Sequence, residues 1–412
     1  MPDIAFSDHF FRHQSARMVS ILSRTYGLQY LELIEDCVQD ALIDAVESWP
    51  LQGAPRNPGG WLYDVARKKL INQLNRKQKW EKKIAPNFYS QTSQQSDMKI
   101  LKDDVIQDAQ LEMLFACCHP QLQKEAQLAM ALKTLCGFGI SEIASALLTS
   151  KETINKQLYR SKKQFREGKI RLGLPGKTGL AARVEMVLKI MYLMFNEGYF
   201  SAGSEMTLSK DLCFESIRLT QELEQAFPKN SQVKALLAIM FFQFARFPSR
   251  VSASGELVLF HQQNRANWNF QMINQGIAYL QQSQGNELSM YHLLAGILLE
   301  YLMAAGHEKV NQKQVLHYYE LLSEVKYDEV VSFNHAVAMY ESGQVQPALD
   351  QLLKLVESVK MKRNWLLYFT IGEIFFREGR QAEAGKFFAF CRNLNYPVAF
   401  HSKIVARLKA LD

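Results

Sequence analysis

The densest set of side chains able to make specific contacts lies between Ile140 and Arg171. Lys151, Glu152, Asn155, Lys156, Gln157 and Arg160 share one face of a helical period, while Ile154, Leu158 and Phe165 occupy the opposite phase. Ahead of them Ile143, Ala144 and Leu147 suit the inner face of a shorter helix. Leu148, Thr149 and Ser150 then read as a turn, with Ser150 as the N-cap of the second helix. This is a helix-turn-helix pattern, and small Ala144 lies where two helices crossing steeply must meet. Donor-rich side chains on the N-terminal half of the second helix are placed as base-edge readers in a major groove, and Lys162, Lys163, Arg166, Lys169 and Arg171 could continue along phosphates. A solvated charged face has the same composition, so context must decide.

That context is supplied by charge. The chain of 412 residues carries a formal +7, but residues 56–83 hold nine basic and two acidic side chains and residues 151–171 hold eight and two, which leaves the rest at −6. Two basic stripes on a slightly acidic body are the footprint of a protein that meets a polyanion at two places. Just before the first stripe, Glu32, Glu35, Asp36, Gln39, Asp40, Asp44 and Glu47 form the polar face of a helix. Its apolar stripe is Ile34, Cys37, Val38, Ala41, Leu42, Ala45 and Trp49. Pro50 to Arg56 should break that helix. Asn57 and Pro58 should start the next, which packs Leu62, Ala66, Leu70 and Leu74 and exposes Arg67, Lys68, Lys69, Asn72, Gln73, Arg76 and Lys77.

Covalent chemistry finds no support. There is no nucleophile beside a base, paired carboxylates, glycine-rich phosphate loop or HExxH, so the chain reads as a non-enzyme without a cofactor. Six scattered cysteines form no CxxC pair. Cys117, Cys118 and His119 point in different directions on a helix and have no second ligand cluster, so neither disulfides nor a metal are expected and a reducing cytoplasm fits. Residues 1–12 lack a leader pattern, and the most apolar run, 293–305, is too short to span a bilayer and contains Glu300.

Only 11 Pro and 21 Gly in a chain that is 48% hydrophobic argue for helices joined by short connections, an all-α protein. The expected organisation is a helical domain over 1–83, a Gln/Ser-rich flexible linker over 84–103, the helix-turn-helix domain over 104–174 and a helical region over 181–412. In the last, Asn334–Gly343 followed by Ala348, and Ile371–Gly379 followed by Ala382–Ala384, repeat at 36 residues, close to the tetratricopeptide period. Tyr291–Gly306 reads as an earlier copy. A TPR-like α-solenoid is the expected form, with a non-repetitive bundle as the alternative.

The order of acidic helix, basic Trp-containing helix, polar linker and helix-turn-helix resembles a group IV (ECF) sigma factor of bacterial RNA polymerase. The motifs are Ile34 to Ala41, Asn57 to Arg67, and Ala131 to Arg160, and the resemblance covers residues 8–172. Leu114–Pro120, Met194–Tyr199, Gly255–Leu259 and Arg265–Trp268 extend it to the ECF42-like subfamily with a fused C-terminal domain of the DUF6596, TPR-like kind. One departure is the run from His261 to Asn269, where amides and neutral groups replace charges usual in that family.

The resemblance implies a cytoplasmic promoter-specificity subunit. Glu35, Asp36, Gln39 and Asp40 would contact the β′ clamp of core RNA polymerase, whose β subunit is also a partner. Trp61, Arg67, Asn72 and Arg76 would meet the −10 element, and Lys151, Glu152, Asn155, Lys156, Gln157, Arg160 and Lys163 the −35 element. The apolar neighbours of Trp61 suit a core position as well as stacking on a base. The C-terminal domain would bind a protein partner, or the sigma regions of its own chain, and so regulate them. The competing reading is a helix-turn-helix operator binder with a TPR interaction domain that never joins polymerase, for which the acidic helix and the first basic stripe have no use.

Overall fold

The computed structural model describes residues 8–81, 103–147, 149–174, 177–199, 210–250, 258, 260–285, 288–326, 328–394, 396 and 400–411. Among them are eighteen α-helices, short 3-10 turns and no strand, so the chain is all-α as expected. It falls into two compact units, residues 1–198 with 209–223, and residues 199–208 with 224–412. The division comes later than the glycines at 173–179.

The first unit contains α1 (Asp8–Tyr26), α2 (Leu31–Gln52), α3 (Pro58–Glu81), α4 (Asp103–Cys117), α5 (Lys124–Leu135), α6 (Ile140–Ala146), α7 (Lys151–Arg166), α8 (Lys177–Tyr199) and most of α9 (Lys210–Ala226). On α2 the expected stripe is buried from Ile34 to Trp49 except at Leu42, which is only half-buried. The break expected over Pro50 to Arg56 falls at residues 53–57, with Pro50 itself inside the last turn. The helix continues to Gln52 and ends at Gly53, whose φ of 81° suits glycine and whose amide donates to the Trp49 carbonyl at 2.9 Å. Pro50 is tolerated because it deprives only the Val46 carbonyl of a donor, and Val46 is 54% exposed, within reach of water. Asn57 starts α3 by accepting from the Gly60 amide at 3.0 Å, and Leu62, Tyr63, Ala66 and Leu70 seat it on α2. The expected linker lies outside the described residues except for Asp103, which opens α4.

α5 is the centre of the second half of this unit. Its residues from Ala126 to Leu132 are all buried, and it packs against α1, α4, α6 and α7. α8 is tied to this half by Arg183, which donates to the Phe115 carbonyl at 3.5 Å. α9 returns onto α8 through Ser216, whose hydroxyl donates to the Met191 carbonyl at 2.8 Å.

The second unit contains α10 (Ser231–Ala245), α11 (Phe270–Gln282), α12 (Met290–Met303), α13 (Gln312–Val325), α14 (Glu329–Glu341), α15 (Val345–Val356), α16 (Trp365–Arg377), α17 (Gln381–Arg392) and α18 (His401–Lys409). α10 is buried almost all round and packs on α11 and α12. From α11 onward each helix packs on the next in sequence, the nearest-neighbour pattern of stacked helical hairpins. The pairs α14/α15 and α16/α17 begin 36 residues apart, each turning at a glycine of positive φ, Gly343 (94°) and Gly379 (73°). The crossing of α16 and α17 is close enough that a Cβ on Gly372 would stand 2.7 Å from the Phe388 ring.

Candidate nucleic-acid interface

Ser150 caps α7 as its position implies, its hydroxyl accepting from the Thr153 amide at 3.2 Å. Ile143, Ala144, Ile154, Leu158 and Phe165 are buried between α6, α7 and α5, so helix phase fixes the outward face. Lys151, Glu152, Asn155, Lys156 and Arg160 are exposed, and Lys163 is exposed with Glu167 3.9 Å away. Gln157 is half-buried, with its carbonyl oxygen buried and unpartnered. The Glu152 carboxyl is held below its ordinary range by its own backbone amide and the Ser150 hydroxyl, so this acid is engaged at the helix start. What α7 offers outward on its first three turns is a cationic and amide surface.

The second half of α7 does not continue that surface. Lys162 forms an ion pair with Glu35, both side chains less than one-fifth exposed, and Arg166 donates to Glu32 at 2.9 Å. These two cations, expected to lie along phosphates, bind α2 instead. Lys169 is paired with Glu167 at 2.6 Å.

On α2, Asp36, Gln39 and Asp40 are exposed, whereas Glu35 is half-buried under Lys162. The polar face is therefore divided. Its first turn serves α7, Asp44 serves Lys69 of α3 at 2.8 Å, and Asp36, Gln39 and Asp40 remain open. Beside them Leu42, Ile43 (47% exposed) and Val46, with Phe11, Gln39 and Glu47, line a shallow hollow of about 300 Å³. Helical period does not reveal this hollow, because it places Leu42 in the core stripe and sets Ile43 and Val46 among acids. The one signal for it is the presence of apolar residues on a charged face. On α3, Asn72 and Arg76 are exposed and Arg67 is half-buried. Trp61 is half-buried, its ring 5.6 Å from that of Trp49, edge to face.

All six cysteines are buried thiols outside any disulfide. Burial pushes the Cys117 thiol up to about 12, and the Cys118 and Cys136 thiols are raised too, so none is a ready nucleophile. Among the described residues no group of three His, Cys, Asp or Glu side chains is placed to hold a metal, and no helix is long and apolar enough to cross a membrane.

Residues 10–81, from α1 to the end of α3, match the family Sigma-70 region 2, and residues 183–284 match a family of unknown function, DUF6596. An uncharacterised protein of Rhizobium meliloti (strain 1021) is 30% identical over 336 residues, covering 79% of this chain and 78% of its own. The chain belongs to the sigma-70 family. No solved structure matches it. Sigma-70 proteins direct promoter recognition and are not a family of enzymes, and region 2 implies core RNA polymerase and promoter DNA as partners.

In this sigma-70 protein the DUF6596 match includes the run that departs from the resemblance. Its amides act locally. Asn264 accepts from the Ala266 amide at 3.0 Å, Asn269 caps α11 by accepting from the Met272 amide at 3.1 Å, and Gln263 donates to the Val258 carbonyl at 3.2 Å. The remaining arginine, Arg265, lies over the Trp268 ring and donates to the Leu302 carbonyl. Arg246 donates to the Tyr199 hydroxyl at 2.9 Å and lies over Phe260. Further along, Val337, Phe369, Phe400, Lys403 and Arg407 border a groove of about 450 Å³, where Arg377 pairs with Glu341 and Arg407 with Glu373.

Proposed function

We propose that this sigma-70 family member is an ECF-type factor of the ECF42-like group, which joins core polymerase through α2, meets the −10 element with α3 and reads the −35 element as duplex with α7. The observation that carries the reading is the pairing of faces within 10–81: an open patch of Asp36, Gln39 and Asp40 with Ile43 and Val46 on α2, followed by the basic surface of α3. An acidic and apolar patch suits a clamp helix bearing arginines, and Asn72 and Arg76 suit an unpaired strand. The capped, exposed N-terminal half of α7 has the side chains and position of a recognition helix. The helical hairpins of the second unit then act as a fused regulatory surface.

The test is reconstitution with core polymerase and a promoter library, scored by co-elution and run-off transcription. Co-elution with selective transcripts is expected. Binding to duplex DNA without core association would favour the operator-binder reading instead.

A further inference from the structure

The polymerase-facing half (α1–α3) and the helix-turn-helix half (α4–α7) of the first unit pack directly against each other, α1 on α4 and α5, and α2 on α7. Elements centred near −10 and −35 lie about 25 base pairs apart, roughly 85 Å at 3.4 Å per pair along stiff duplex. α7, with 16 residues, is only about 24 Å long at 1.5 Å per residue, and it touches α2 directly through Lys162 and Arg166. With α3 and α7 as the two promoter-facing helices, the reading on which a closed resting state depends, this arrangement cannot span both elements.

What holds it is not confined to those two halves. α9, inside the stretch that matches DUF6596, carries a charged cluster that reaches both. Glu215 accepts from His13 of α1 at 3.3 Å, and Arg218 donates to the side-chain carbonyl of Gln110 on α4 at 2.8 Å. Arg218 also binds Glu215 and Glu222 on its own helix, so the three side chains behave as one preset tool. Gln110 is completely buried. Burial alone would push the Glu215 carboxyl up, but the hydrogen bonds from His13 and Arg218 and the Arg218 charge hold it at about 2, leaving an anion fixed between the two halves. Direct pairs complete the seam: Arg12 with Glu142 at 2.9 Å, and Arg24 with Glu112 at 3.3 Å.

We infer that α9 is an intramolecular clasp that binds α1 with Glu215 and α4 with Arg218, and together with the Lys162–Glu35 and Arg166–Glu32 pairs keeps the free protein closed. The acidic start of α2 is thus a surface with an internal occupant, the cationic end of α7, which must be displaced before the two halves separate. The fused extension thereby contributes to the seam itself, with Glu215 and Arg218 as the side chains that make it.

The experiment is a distance measurement by pulsed electron resonance on the full-length protein, with spin labels at Gln73→Cys on α3 and Tyr159→Cys on α7, both exposed. Wild type should give one short distribution. Arg218→Ala should add a long-distance population, and Lys162→Glu should raise the open fraction about tenfold, with Lys162→Glu plus Glu35→Lys returning it to the wild-type value. The double reversal keeps the test decisive should Arg218→Ala fold poorly. A long distribution in wild type, or reversals that leave the distribution unchanged, would overturn the clasp. Core co-elution of the same samples separates the two ideas: a responsive distance without core binding refutes the sigma reading alone, and core binding with an unresponsive distance refutes the clasp alone.

Discussion

Replacing Glu222 by glutamine is expected to stabilise the first unit in alkaline solution and to change little in mild acid. The Glu222 side chain is 10% exposed and bonded to Arg218. Burial, opposed by the Arg218 charge and reinforced by Glu215, raises its pKa from 4.5 to about 7, with Asp108 of α4 adding to the rise. Gln110 on α4 and Glu215 on α9 complete the surroundings through Arg218, and His13 on α1 joins them through Glu215. A carboxyl with a raised folded pKa keeps its proton where the unfolded chain releases it. Its stabilising contribution is therefore whole below about pH 4.5 and is lost as pH climbs through 7. At about 1.4 kcal/mol per unit, the rise from 4.5 to about 7 corresponds to no more than about 3–4 kcal/mol. Glutamine keeps the oxygen that Arg218 reaches and never ionises. Thermal unfolding of the first unit at pH 5 and pH 8 should show a stability gap in favour of Glu222→Gln that opens at pH 8. An equal gap at both values, or a larger one at pH 5, would refute the assignment of the raised carboxyl.

Three further outcomes are expected. Gly372→Ala should cost about 1–3 kcal/mol, because the new methyl meets the fully buried Phe388 ring at 2.7 Å, whereas Gly385→Ala, with nothing nearer than 3.7 Å, should be neutral or gain up to about 1 kcal/mol, both read from thermal unfolding of the second unit. Lys156→Ala with Arg160→Ala should weaken duplex binding at least tenfold and flatten its salt dependence by up to about 0.9 per lost phosphate contact, with core co-elution unchanged; equal loss of both would refute α7 as the recognition helix. Ser150→Ala should cost about 1 kcal/mol at the start of α7, read as faster amide exchange at Thr153 than at Ser161.

Local signals in the sequence carry most of the first unit. Asn57 and Ser150 announce their helices because a cap acts on amides two or three residues away, and the stripes of α2, α3 and α7 follow from period alone. The turns at Gly343 and Gly379 are legible for the same reason. The pairings of Lys162 with Glu35 and Arg166 with Glu32 join residues 127 and 134 apart, and nothing local distinguishes them from solvated charges. Glu215 and Arg218 read as an ordinary pair at i, i+3 on an amphipathic helix; only the fold brings His13 and Gln110 to them. The break expected over Pro50 to Arg56 starts at Gly53 rather than at the proline, because a proline costs little in a last turn whose freed carbonyl faces water.

The central claim is that the open face of α2 joins core RNA polymerase and that the chain then selects promoters. Run-off transcription from a promoter library with purified core, comparing wild type with Asp36→Lys plus Asp40→Lys, tests it most directly. The account predicts wild-type transcripts from a small set of promoters and their loss in the variant, together with loss of core co-elution while duplex binding by α7 persists. Wild-type protein that yields no transcript and does not co-elute with core would contradict it.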